Sequence, residues 1–240
     1  MDDRPKIFGS PGERARASGL LRAALPLGAV LILCGYALGT FTPSFAFLTL
    51  PVKGAIVLAL AAAVFFAAAV TQGRVDAFFK GARGEEQIAL ALAALPADYT
   101  VFHGVVLGRG SLWRGHNLDH IVVGPTGIAL IETKNWRGRV VFAEGRLTVD
   151  GVDPTRPPID QVRAEARILA DWLAKQQANT PPVRPLLCFA GKSLEVDHMT
   201  VDEITLCRAD HLIGAITQAP TASWEASSRQ RTIELLAKQV

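Results

Sequence analysis

Charge is absent from two long stretches of this 240-residue chain: residues 23–52 carry no Asp, Glu, Lys or Arg, and neither do residues 54–73. A bilayer core of ~30 Å needs about 20 apolar residues in helical form, and each run is long enough for one crossing. Two membrane helices are therefore expected, over about residues 23–41 and 52–71, with Thr42-Pro43-Ser44 breaking the first. A helical hairpin buried in a soluble protein is the competing reading, and uncharged runs of this length argue against it. With only two such helices and no charge inside them, a transporter or channel has little to work with. Cysteine is scarce as well. The three, Cys34, Cys188 and Cys207, form no C-x-x-C and sit in apolar surroundings, which reads as reduced packing residues rather than disulfides or zinc ligands. A long basic run is also missing, and the net charge of +3 is too small to argue for a nucleic-acid partner. Internal repeats are absent too.

Lys and Arg are placed unevenly about the apolar runs. Arg4, Lys6, Arg14, Arg16 and Arg22 precede the first, Arg74, Lys80 and Arg83 follow the second, and only Lys53 lies near the connection. The positive-inside rule then puts both termini in the cytoplasm of a bacterium, with the chain as a multi-pass protein of its inner membrane. A cleaved signal peptide fits poorly, because the basic leader is long and a second apolar run follows at once. The expected organisation is a basic tail rich in Gly, Pro and Ser (1–22), a transmembrane hairpin (23–72) and a linker (73–80). A soluble α/β domain (81–219) and an amphipathic C-terminal helix (220–240) complete it. In the first membrane run Gly35 and Gly39 have the small-x-x-x-small spacing that permits close helix contact.

Within the soluble part, residues 84–95 read as a helix stopped by Pro96, with Ile88, Leu92 and Leu95 on one face and Glu85 on that same face. Glu85 alone is equally well explained as an acid favouring a helix start. Residues 99–107 read as a strand. Residues 108–117 form a Gly-rich loop carrying Arg109, Trp113, Arg114 and His116, either an ordinary solvated loop or a basic, aromatic lip for nucleic acid. Further on come a short hairpin about Glu144-Gly145, a Pro-rich loop over 153–158 and a long helix over 159–176 with Val162, Ala166, Leu169 and Leu173 inside. Strands over 183–190 and 204–207 and helices over 209–216 and 225–238 follow, the last presenting Ile233 and Leu236.

The chain is organised around residues 118–134, LDHIVVGPTGIALIETK. Two apolar, β-branched runs flank Gly124-Pro125-Thr126-Gly127, which is turn chemistry. A hairpin centred on Pro125 and Thr126 pairs Val123 with Ile128 and, in the same register, sets Asp119 opposite Glu132. Lys134 repeats the face of Glu132 two residues on. Opposed carboxylates destabilise a bare hairpin unless a cation sits between them, and a hard divalent cation takes oxygen ligands. An Asp, a Glu-x-Lys and a nearby helix bearing another Glu suit metal-assisted phosphodiester hydrolysis. Asp119 and Glu132 would hold Mg²⁺ (or Mn²⁺), and Lys134 would orient the attacking water or offset charge on phosphorus. A surface ion pair is the bland alternative. Gln161, in the first turn of the long helix, could face solvent or this site.

The segments Gly81-x-x-Gly84-Glu85, LDHIVVGPTGIALIETKNWRG and Pro158-Ile159-Asp160-Gln161 resemble the nuclease-related domain (NERD) family of the PD-(D/E)xK superfamily. The resemblance covers about residues 81–190. It implies a restriction-endonuclease-like mixed sheet flanked by helices, here preceded by the transmembrane hairpin, and one site built from Glu85, Asp119, Glu132, Lys134 and Gln161. In that scheme Asp119 and Glu132 are metal ligands and Lys134, Glu85 and Gln161 serve catalysis. Arg109, Trp113, Arg114, Trp136 and Arg137 are candidates for contacting nucleic acid, DNA rather than RNA. The chain departs from the superfamily pattern with Leu118 before the Asp and with Glu165 where a Q-x-x-x-Y motif has an aromatic. The expected activity is that of a membrane-anchored nuclease. The alternative is a non-catalytic docking module of nuclease-like fold on the same lipid-embedded anchor.

Overall fold

A computed structural model describes residues 4–40, 42, 49–108 and 116–240. The chain divides into two units, one formed by Arg14–Lys80 and one by Met1–Glu13 together with Gly81–Val240.

The first unit is helical. Helix α1 spans Glu13–Gly39 and helix α2 spans Leu50–Leu92. Glu13–Gly39 and the Leu50–Ala69 part of α2 are long and apolar enough to cross a membrane. Their large side chains, such as Ile32, Leu38, Leu58 and Phe65, stand exposed. Helix α1 starts well before the apolar run because Glu13 to Arg22 is built of good helix formers with an acid in the first turn. Where a linker was expected at residues 73–80, α2 continues unbroken: polarity there does not interrupt a helix, and no proline intervenes before Pro96. Among the described residues, a Cβ on Gly35 or Gly39 would meet nothing within 4 Å.

The second unit is a mixed α/β domain. Its strands are β1 (Lys6–Phe8), β2 (Thr100–Leu107), β3 (His116–Gly124), β4 (Gly127–Lys134), β5 (Val140–Ala143), β6 (Arg146–Val149), β7 (Val183–Phe189), β8 (His198–Val201) and β9 (Ile204–Arg208). Seven form one sheet in the order β1-β2-β3-β4-β7-β9-β8, and β5 and β6 make a separate hairpin. Helices α3 (Pro158–Lys175), α4 (Leu212–Thr217) and α5 (Ala226–Ala237) complete the domain. The central β2–β3–β4 meander is antiparallel, whereas β4, β7 and β9 run parallel. A parallel step needs a crossover, and α3 lies between β4 and β7 in the chain.

Both sheet faces are covered. Ile128 and Leu130 of β4 join Val162, Leu169 and Leu173 of α3 in one cluster, whereas Ala129 and Ile131 join Ile88 and Leu92 of α2 in the other. That is the two-residue alternation of a strand read out as two cores. In β2 the alternation reverses: Val101 lies in the α2 cluster, but Phe102, Val105 and Leu107 all lie in the α3 cluster. Gly104, at φ +64°, supplies the backbone reversal between them.

Two strands departed from expectation. Residues 4–8 read as tail, yet β1 pairs in parallel with β2, and the Phe8 ring stacks on Phe102 at 5.2 Å. Strand β8 was missed because its turn, Asp202-Glu203, reaches positive φ (47° and 66°) without a glycine to announce it. The C-terminal helix is integral to the domain: Leu236 is buried in the α3-side core, and the Gln239 carbonyl accepts the Val106 N–H at 3.0 Å.

Candidate active site

The β3–β4 register is the expected one as far as Val123 opposite Ile128 and His120 opposite Ile131, but the expected Asp119–Glu132 pair is not formed in the ladder. The ladder stops at His120, while β4 stays paired with β7 as far as Lys134 opposite Phe189. Asp119 lies where the pairing ends: its Oδ2 accepts the Thr133 N–H at 3.0 Å. Opposite Asp119 on its other side, by extension of the β2–β3 register, stands Gly104, which brings no side chain.

Glu132, Lys134 and Gln161 form a closed set where β3 and β4 part. Lys134 Nζ donates to Glu132 Oε1 at 2.5 Å and to Gln161 Oε1 at 2.9 Å, and Gln161 Nε2 donates to Glu132 Oε1 at 2.7 Å. Glu132 is only 4% exposed, so its carboxylate has exchanged water for these two donors. Gln161 therefore points at the site, which its sequence position left undecided. Helix α3 brings it there because Val162, Leu169 and Leu173 turn into the core.

Helix α2 contributes Glu85 from the opposite face of the sheet. Gly84 allows this approach, since a Cβ there would lie 2.6 Å from the Cβ of Asn135, just past β4. Glu85 Oε2 accepts the Gly12 N–H at 2.9 Å. Its carboxyl is pushed up by burial and by the charge of Glu132, against the lowering effect of that N–H. Asp119 is pushed well up, first by burial and then by the charges of Glu132 and Glu85.

Two features were not assigned to the site from the sequence, one of them Glu165, noted there only as a departure from Q-x-x-x-Y. Glu165, one helical turn beyond Gln161, accepts from Gln161 Nε2 at 2.9 Å, and its buried Oε2 has no hydrogen-bond donor among the described residues. Burial and the Glu132 charge raise it to about 8. The i, i+4 spacing from Gln161 was the signal that could have found it. The second is a buried pair beside Asp119, His103 and His120, with Nδ1 atoms 2.7 Å apart. Burial lowers His103 to about 4 and His120 well below its ordinary range.

These shifts fix a pH dependence. Between the ordinary 4.5 of glutamate and about 8, the folded chain keeps a proton on Glu165 that the unfolded chain has released. Stability in chelator is therefore expected to fall as pH rises through that window, and Glu165→Gln should flatten the fall. The histidines act oppositely. Held neutral when folded, they cost stability as pH drops from about 6.5 towards 4. Denaturant titrations from pH 4 to 9 would read both limbs.

Among the nucleic-acid candidates, Arg109, Trp113 and Arg114 lie outside the described residues. Trp136 is half-buried, its ring edge-on to Phe189 at 5.9 Å. Arg137 is exposed.

The oxygen-only donors Asp119 and Glu132 suit a hard cation. The charges of Glu132 and Glu85 that hold the Asp119 carboxyl well up are what such a cation relieves. Among the described residues, no group of three His, Cys, Asp or Glu side chains could hold a metal ion. Magnesium is commonly held by one or two carboxylates, with waters and substrate phosphate completing the shell, so the two acids fit it.

Three comparisons with known proteins found similarities. One curated relative, "Probable kinase PglW" of Streptomyces coelicolor (strain ATCC BAA-471 / A3(2) / M145), is 31% identical over 113 residues. The match takes in 45% of this chain and 7% of that protein, so the chain spans a small fraction of its relative. Among solved structures, protein VC1899 from Vibrio cholerae matches with a TM-score of 0.30 and 11% identity, over 95% of this chain and 57% of that one. The family model of the nuclease-related domain matches residues 80–190, which include Glu85, Asp119, Glu132, Lys134 and Gln161. Over those residues the chain is thus similar to the nuclease-related domain (NERD) family.

Proposed function

We propose that the chain is a membrane-anchored, metal-dependent nuclease that hydrolyses phosphodiester bonds, in DNA rather than RNA, on the cytoplasmic side of a bacterial inner membrane. The observation that carries the reading is the fork between β3 and β4, where Asp119, Glu132, Lys134 and Gln161 converge. Mg²⁺ or Mn²⁺ held by Asp119 and Glu132 would polarise the scissile phosphate and acidify a water beside it. The chain's own groups do the rest. Lys134, kept in place by two acceptors, presents a positive charge where negative charge builds on the phosphate oxygens. Gln161 holds both Lys134 and Glu132, so the ammonium and the carboxylate keep a fixed geometry before substrate arrives. The water oxygen bonds to phosphorus, the P–O bond to the leaving strand breaks, and the departing oxygen takes up a proton. Glu85 and Glu165 stand near enough to feel the charge of Glu132 and are the chain's candidate proton carriers. Arg137 offers an exposed charge for the phosphate backbone, joined in the proposal by Arg109, Trp113 and Arg114. The two apolar helices and the flanking Lys and Arg support the membrane placement.

The test is direct. Full-length protein in detergent should nick and cut plasmid DNA with Mg²⁺ or Mn²⁺ and stop in chelator. Wild-type protein that is inert on duplex and single-stranded DNA and on RNA, yet binds them equally well in chelator, is instead a docking module.

A further inference from the structure

The residues that precede both apolar helices are stitched onto the domain. Lys6, Ile7 and Phe8 pair with Thr100, Val101 and Phe102, and the Phe8 and Phe102 rings stack at an interplanar angle of 11°. After β1 the backbone lies flush against its neighbours. A Cβ on Gly9 would fall 2.2 Å from the His103 carbonyl oxygen and 2.4 Å from Cγ1 of Val240, and one on Gly12 would fall 2.9 Å from the Ala82 carbonyl oxygen. Both glycines have positive φ, +83° and +71°, which side-chain-bearing residues adopt at a cost. This path delivers the Gly12 N–H to Glu85 Oε2 at 2.9 Å. The carboxyl it holds is the acid that α2 brings within reach of the Glu132 and Asp119 charges.

We propose that residues 4–12 are a positioning element of the site: they hold the Glu85 carboxylate through the Gly12 N–H, so the site is complete only with chain that lies ahead of both apolar helices. The segment falls outside the 80–190 match to the nuclease-related domain. The positional statement stands on the geometry alone, and its catalytic consequence rests on the nuclease reading.

Two measurements on the full-length protein in detergent separate those levels. In hydrogen exchange, overlapping peptides that isolate residues 9–13 should exchange about tenfold faster in Glu85→Ala than in wild type, because the Gly12 amide loses a charged acceptor. Unchanged exchange there overturns the proposal whether or not the protein cuts nucleic acid. In the cleavage assay, Gly12→Ala should slow the wild type about tenfold and leave the residual rate of Glu85→Ala unaltered. Losses that add across the two variants would overturn the positioning role and leave general destabilisation. Should Gly12→Ala not fold, Phe8→Ala loosens β1 from Phe102 with the glycines intact and carries the same expectation. Inert wild-type protein with the expected exchange result sinks the nuclease reading and keeps the positional one.

Discussion

Lys134→Ala is expected to cut metal-dependent cleavage by about 10²–10³-fold, the loss typical of removing one preorganised charge stabiliser. The same change should destabilise the fold by about 3 kcal/mol, because it strands a buried carboxylate. Glu132 is held by Lys134 Nζ at 2.5 Å and by Gln161 Nε2 at 2.7 Å. With side-chain exposures of 16% for Lys134 and 6% for Glu132, this pair lies too deep to be a weak surface bridge. The two losses can be separated. Lys134→Gln can still donate to Glu132, so it should recover much of the stability and little of the rate. Lys134→Arg brings a planar fork where the site holds a point charge between two close acceptors, and should recover less than its charge suggests. Cleavage rates and urea midpoints of the three variants decide the matter, and a Lys134→Ala enzyme with an undiminished rate would make this lysine structural only.

Asp119→Asn should do the opposite to stability. Burial and the charges of Glu132 and Glu85 already work against an ionised Asp119, and an amide removes that conflict while keeping an oxygen to accept the Thr133 N–H. The metal-free variant is expected to be more stable than wild type at pH 8, where the repulsion is largest. Cleavage should be lost, and with it the stabilisation that divalent cations bring. For wild type that linkage is about 2.7 kcal/mol at a hundredfold excess of metal over its Kd. Thermal melts with and without Mg²⁺ or Mn²⁺, across pH, give both numbers. A metal-induced shift that survives in Asp119→Asn would place the cation elsewhere. A variant that gains stability while losing function is the expected signature of a site kept under electrostatic strain for its chemistry.

Most of this domain was legible from local pattern. The β3–β4 hairpin and its register followed from two apolar runs about Gly-Pro-Thr-Gly, and the inner stripe of α3 followed from helical spacing. These features are legible because residues near in sequence impose them: a turn sets its own register, and a helix its own face. Glu165 was within reach of the same logic, four residues from Gln161, but an unpaired acid on a helix ordinarily means a solvated face. The continuation of α2 through residues 73–80 was hidden by composition, since polar residues do not break a helix, and strand β8 by a positive-φ turn without a glycine.

Residues 118–134 alone determined that two acids and a lysine would meet at the end of an apolar hairpin. The family resemblance in those residues is shown by the match over 80–190. Only the tertiary structure decided what surrounds them. It parted β3 from β4 beyond His120 and Ile131, turned Gln161 inward, and brought Gly12 to Glu85 across 73 residues of chain. It also set the Trp136 ring edge-on to Phe189. Such contacts depend on which surfaces a folded core leaves adjacent, and the closing of long loops leaves no local periodicity for a sequence to display.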